Sequence, residues 1–117
     1  MFRIQVDQTY PFPVDVRVPS DAAPGQFATH RFTALFRVLP TDEARALLAK
    51  PDSLDRDLLG QVLVGWRDVA DEDGQPLPFG DEARDRLCRD PRVQAALVDA
   101  YRKSISGEAV AARREGN

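Results

Sequence analysis

Three consecutive acids followed by glycine, Asp71-Glu72-Asp73-Gly74, are the residues of this chain best suited to chemistry, because carboxylates clustered ahead of a glycine can wrap a calcium ion. The register fails that use. With Gly74 at the sixth position of such a loop, the two end positions fall on Val69 and Gly80, neither of which offers a carboxylate. The cluster reads as a solvated turn, since Asp side chains bond their own backbone and glycine accepts positive φ. A thiol and imidazole would be the next combination to consider, but Cys88 and His30, each the sole residue of its type, lie in different segments. Cys88 has no disulfide partner in the chain. Its place beside Leu87 in a short helical pattern makes it a buried, reduced structural thiol, which suits a cytosolic setting. His30, between Thr29 and Arg31, reads as a surface or partly buried strand residue. Arg84, Arg86, Arg89 and Arg92 form the densest basic group, and Asp81, Glu82, Asp85 and Asp90 are interleaved with them, so local ion pairing accounts for them without nucleic acid.

No acid sits in an apolar run that would shift its pKa, and phosphate-binding glycine loops, zinc spacings and hydrolase elbows are missing from the sequence. The chain is therefore expected to have no catalytic residues, no cofactor and no metal. A net charge of −3 and a pI near 5.1 weigh against a phosphate-backbone binder. The N-terminal residues MFRIQVDQ alternate charged and apolar side chains, which fits neither a signal peptide nor a membrane span.

The elements that must position these residues follow from composition and periodicity. At 117 residues, with 43% hydrophobic and 30% charged side chains, the chain supports one domain with a single core. Phe2, Ile4 and Val6 alternate with polar residues, as do Val14, Val16 and Val18, which predicts two half-buried strands joined at Tyr10-Pro11-Phe12-Pro13 and paired as a hairpin. Ser20 to Gly25 is a loop. Gln26 to Leu39, with Phe32, Ala34, Phe36 and Val38 in alternation, predicts a third strand. A sheet of this size needs a cover, and helices follow. Thr41 caps a first helix that Pro51 ends near Lys50. Ser53 caps a second, Leu54 to about Trp66. Asp81 caps a short third to about Arg89, and Asp90-Pro91 begins a fourth whose Val93, Ala96, Leu97, Ala100, Tyr101 and Ile105 share one face. Together these give an α+β domain: a strand-rich part over 1–40 forming a small antiparallel sheet of about three strands, about four helices over 41–106, and a flexible tail over 107–117. Residues 51–117 carry 10 basic and 14 acidic side chains, so the helical half is the acidic one.

Within that frame, Trp66 follows Leu58, Leu59, Val62 and Leu63 on one helical face and is expected in the core. Pro76 and Pro78 hold Leu77 and Phe79 in an extended path on a stiff loop. The run Leu63-Val-Gly65-Trp66-Arg67-Asp68-Val69, then Asp71-Glu72-Asp73-Gly74, then Pro76-Leu77-Pro78-Phe79, then Val93-Gln-Ala-Ala-Leu97-Val-Asp-Ala-Tyr101 and Ser106-Gly107-Glu108, resembles the tail assembly chaperones of long-tailed bacteriophages. The likeness spans Leu54 to Glu108, about half the chain. It implies a non-enzymatic protein of the host bacterial cytoplasm that binds the tape measure protein, helps bring major tail tube protein to it, and is not kept in the mature virion. In many such phages a longer product arises by frameshifting near the chaperone's C-terminus. The resemblance directs attention to Trp66, Leu77 and Phe79 as partner-binding residues lining an apolar groove for a helix of the tape measure protein. Neither nucleic acid nor membrane is an expected partner, whereas association of like copies is compatible with the composition. The rival class is a virion structural component such as a minor tail or head-tail joining protein. A small host regulatory module would need a basic reading helix, and none stands out.

Overall fold

Residues 9–19 alternate apolar even-numbered positions with polar or proline odd-numbered ones, a period of two that suits a strand buried on one face. The computed structural model, which describes residues 1–2, 8–48 and 54–106, places a strand there. The elements run β1 (Thr9–Pro19), β2 (Phe27–Arg37), α1 (Thr41–Leu48), α2 (Leu54–Val62), β3 (Leu63–Arg67), α3 (Asp81–Cys88) and α4 (Pro91–Ser106). The architecture is α+β, with a three-stranded antiparallel sheet ordered β1-β2-β3 packed against the helices.

The sheet's membership differs from the sequence-based expectation in two places. Tyr10-Pro11-Phe12-Pro13 does not link two strands. It lies inside β1, and the hairpin partner is β2, in register from Thr9 opposite Arg37 to Pro19 opposite Phe27. The prolines are tolerated because β1 is an edge strand. Backbone bonds from Val38 to Gln8 and from Ser20 to Gln26 show that even-numbered residues of this strand bond to β2, so the N–H positions lacking at Pro11, Pro13 and Pro19 face away from the sheet. The proposed strand at Ile4 and Val6 lies outside the described residues, as do Ser53 and the tail over 107–117. Second, the helix from Leu54 stops at Val62. Leu63 to Arg67 turns extended and pairs with β2, Ala34 opposite Trp66 and Leu35 opposite Gly65, with a bulge at Leu35/Phe36.

One face of the sheet carries the core. Tyr10, Phe12, Val14 and Val16 of β1, Phe32, Ala34 and Phe36 of β2, and Leu63 and Trp66 of β3 meet Leu59 and Val62 of α2 and Leu97, Val98, Ala100 and Tyr101 of α4. Phe36 sits at the centre with no exposed surface, its ring edge-on to Tyr101 at 5.3 Å and tilted to Tyr10 at 6.1 Å. Burying such a side chain contributes about 1.5–3 kcal/mol. Ser104 Oγ donates to the Tyr101 carbonyl at 2.7 Å, leaving the Tyr10 hydroxyl to donate to Ser104 Oγ at 2.8 Å, which ties the first strand to the last helix. Helix α4 starts where Asp90-Pro91 predicts: Asp90 Oδ1 accepts from the Arg92 backbone N–H at 2.9 Å. At its far end Ile105, expected on the inward face with Leu97 and Tyr101, is 61% exposed instead. Helix α3 is capped by the extended Gly80 rather than by Asp81, whose side chain makes no capping bond.

The odd-numbered face of the sheet receives none of the described helices. Across it run Pro11 and Pro13, Leu35 beside Gly65, and four arginines, Arg17, Arg31, Arg37 and Arg67. Arg31 forms a two-pronged pair with Asp15, directly opposite on β1, at 2.6 and 2.8 Å. Arg17 lies over the Phe27 ring at 4.9 Å, and Arg37 reaches the Gln61 carbonyl at 3.0 Å.

Candidate functional site

The three residues singled out for partner binding come together. Strand β3 delivers Trp66 to the core face, and Asp68, in the left-handed region at φ 65, redirects the chain as it leaves the strand. A small hairpin follows. Leu77 N–H donates to the Val69 carbonyl at 2.9 Å, Ala70 bridges to Pro76, and Asp71 N–H donates to the Gln75 carbonyl at 2.8 Å. Its three-residue tip, Glu72-Asp73-Gly74, closes with a bond from Gly74 N–H to the Asp71 carbonyl, and Gly74 takes φ 78 as that turn requires. Asp71 is the organiser, its Oδ1 accepting from the Asp73 and Gln75 backbone N–H groups at 2.9 and 3.0 Å. The acidic run is thus a self-bonded turn.

The returning arm then locks onto the indole. Trp66 Nε1–H donates to the Leu77 carbonyl at 2.7 Å, and Phe79 packs edge-on to Trp66 at 4.9 Å and 79°. Trp66 is 9% exposed and belongs to the core, while Leu77 and Phe79 are half-buried against it. The apolar spacing predicts a helix as far as Trp66; the residue stands on a strand, because pairing with β2 overrides the helical spacing. The arrangement is a clasp with an apolar lip made by Leu77 and Phe79, and Trp66 forms its floor. Val69, partly buried against the same core cluster, is not among the residues the sequence singles out; the apolar pair Val69-Ala70 between Asp68 and Asp71 is the available signal.

The remaining chemical candidates occupy structural roles. Arg84 pairs with Asp81 at 3.4 Å and Asp85 at 3.7 Å, Arg92 with Asp90 at 2.7 Å, and Arg86 reaches from α3 to Glu72 on the acidic turn. His30 is exposed on β2, and Cys88 is half-buried at the end of α3. Burial pushes the Cys88 thiol up, Arg84 opposes this and Asp85 adds to it, so the group is a poor nucleophile near neutral pH. A shallow cleft between β1 and α4, lined by Phe12, Asp15, Asp99 and Lys103 among others, encloses about 40 Å³. Small-molecule sites typically enclose roughly 300–1,000 Å³. Among the described residues no group of three or more His, Cys, Asp or Glu is placed to hold a metal, and no helix is long and apolar enough to cross a membrane. No family model matches the chain, and no curated protein or solved structure matches it either.

Proposed function

We propose that this chain is a non-enzymatic tail assembly chaperone of a long-tailed bacteriophage, acting in the host bacterial cytoplasm, where it binds the tape measure protein and helps recruit tail tube subunits. One observation carries the reading. Three of the motifs behind the resemblance, Gly65-Trp66, the acidic glycine turn and Pro76-Leu77-Pro78-Phe79, are a single clasp joined by the Trp66–Leu77 hydrogen bond and the Trp66–Phe79 ring contact. Their order in the sequence therefore has one physical purpose. A long amphipathic protein exposes apolar stripes before assembly, and a small acidic domain with an apolar lip suits the task of covering them. In this reading Leu77 and Phe79 make the contact, and Trp66 holds them in place.

Co-expression with the tape measure protein tests it. Soluble co-purification of that protein is the expected result. Leu77→Ser with Phe79→Ser should abolish it while leaving the fold, because the Trp66 hydrogen bond is to the Leu77 backbone and survives the change. If the double variant is folded by circular dichroism and binds undiminished, the lip is not the contact. If the tape measure protein stays insoluble and this chain appears in purified virions, it is a structural component of the particle.

A further inference from the structure

We propose that the lip of the clasp selects a basic amphipathic helix, one whose apolar stripe is flanked by lysine or arginine. The inference rests on the reading of Leu77 and Phe79 as the contact, and adds the chemistry of what they hold. Its starting point is the surface around them. Two residues beyond Phe79 the chain enters α3, which has no buried residue and whose Ala83, Leu87 and Cys88 are only partly covered by the core. The lip and this helix therefore leave apolar side chains half-open within one stretch of chain, and Arg86 ties the two together by its ion pair with Glu72 on the clasp.

Charge identifies the occupant. From Arg67 to Arg92 there are eight acids and five arginines, a surplus of three acids that equals the net charge of the whole chain, while the other positions balance at eleven of each sign. That surplus stands with every ion pair of the region included: Glu72 with Arg86, Asp81 and Asp85 sharing Arg84, and Asp90 with Arg92. Arg67 lies on the opposite, odd-numbered face of the sheet. On the side of the clasp, Asp68, Asp73 and Glu82 are exposed and make no ion pair among the described residues, with only Arg89 to set against them. A leucine stripe would fit the lip whatever flanked it. Lysines or arginines beside the stripe gain from this field, whereas glutamates, or the phosphates of a nucleic acid, are repelled by it.

Trp66, the only tryptophan, lies at the floor of the lip and reports its occupancy by fluorescence. The full chain is titrated with two synthetic helices that share one leucine stripe, flanked by lysine in one and by glutamate in the other, at about 0.05 M and about 0.5 M salt. The lysine helix should bind about tenfold tighter at low salt, and the difference should shrink at high salt. Asp73→Asn with Glu82→Gln, both surface changes, should narrow the difference, and Leu77→Ser with Phe79→Ser should abolish binding of the lysine helix. Equal binding of the two helices, or binding of neither, overturns the proposal. So does undiminished binding of the lysine helix to the folded Leu77 and Phe79 variant, since the attraction would then lie elsewhere. A Trp66 signal that changes with the concentration of the chain alone, and not in that variant, would make a second copy the occupant and also overturn it. The chaperone reading fails separately: if the tape measure protein co-purifies while the two helices bind equally, only the charge selection falls, and if it does not co-purify while the lysine helix still binds at the lip, the selection stands without the chaperone role.

Discussion

Replacing Trp66 with Phe probes the clasp more directly than any other single change. The indole N–H is lost, and the half-buried Leu77 carbonyl that accepted it at 2.7 Å is left without that partner, at a cost of about 1–2 kcal/mol. The smaller ring also leaves a void in a site that is 9% exposed, which adds about 1–2 kcal/mol. The edge-on contact with Phe79 is partly kept by the new phenyl ring, so no further loss is assigned to it. The total is about 3 kcal/mol, a large part of the roughly 5–15 kcal/mol that holds a domain of this kind together. With a urea dependence of about 1.5 kcal/mol per molar, the midpoint should fall by about 2 M. Unfolding has to be followed by far-ultraviolet circular dichroism, since the variant has no tryptophan. Hydrogen exchange gives the local readout: the Leu77 and Asp71 amides, which close the small hairpin, should lose protection at least as far as the core strands do. A loss below about 0.5 kcal/mol, within the range of ordinary surface substitutions, would refute the idea that the indole holds the returning arm.

Three further outcomes are expected. Asp71→Ala removes the acceptor of two backbone N–H groups and should cost about 1–2 kcal/mol in urea unfolding, with Asp71→Asn recovering part of it. The Arg92 side chain holds the Asp90 carboxyl below the usual aspartate range, so its contribution to stability is present above that range and is lost as pH falls through the lowered value; Asp90→Asn should flatten the acid limb of a stability-against-pH curve at this end of α4. Cys88 should react with a thiol reagent more slowly than free cysteine at pH 8, with its rate rising at higher pH than for an exposed thiol; a rate matching free cysteine would contradict its burial.

Much of the fold is legible in the sequence, and the failures have identifiable causes. Alternation alone locates β2, and Asp90-Pro91 with the repeat from Val93 to Tyr101 locates α4, because these segments have one period and clear ends. Tyr10 to Pro13 reads as a connection only if proline is taken as a breaker. Tyr10 and Phe12 in fact continue the alternation of Val14 and Val16, and the prolines occupy positions whose N–H is not needed. Leu63 to Arg67 is harder, since Leu59, Val62, Leu63 and Trp66 satisfy a helical face and a short apolar strand equally well. Its pairing with Leu35 and Ala34, distant in sequence, decides the matter. The site was legible as residues but not as geometry: Trp66, Leu77 and Phe79 can be picked out singly, whereas the bond from the indole to the Leu77 backbone depends on how Asp68 turns the chain.

The Tyr10–Ser104 hydrogen bond joins residues 94 positions apart, and the packing of α4 on β1 surrounds it. On the ribosome this ordering imposes a wait. The hairpin of β1 and β2 is made early, with Phe12, Val14, Phe32 and Phe36 facing outward until α2, β3 and finally α4 have been synthesised. A nascent chain of this protein therefore carries a bare apolar sheet for most of its translation, and the last of the described helices is the one that closes the core. Folding should be slow for the domain's size, and a chain cut short before α4 should be a target for proteases and holding chaperones even with every strand present.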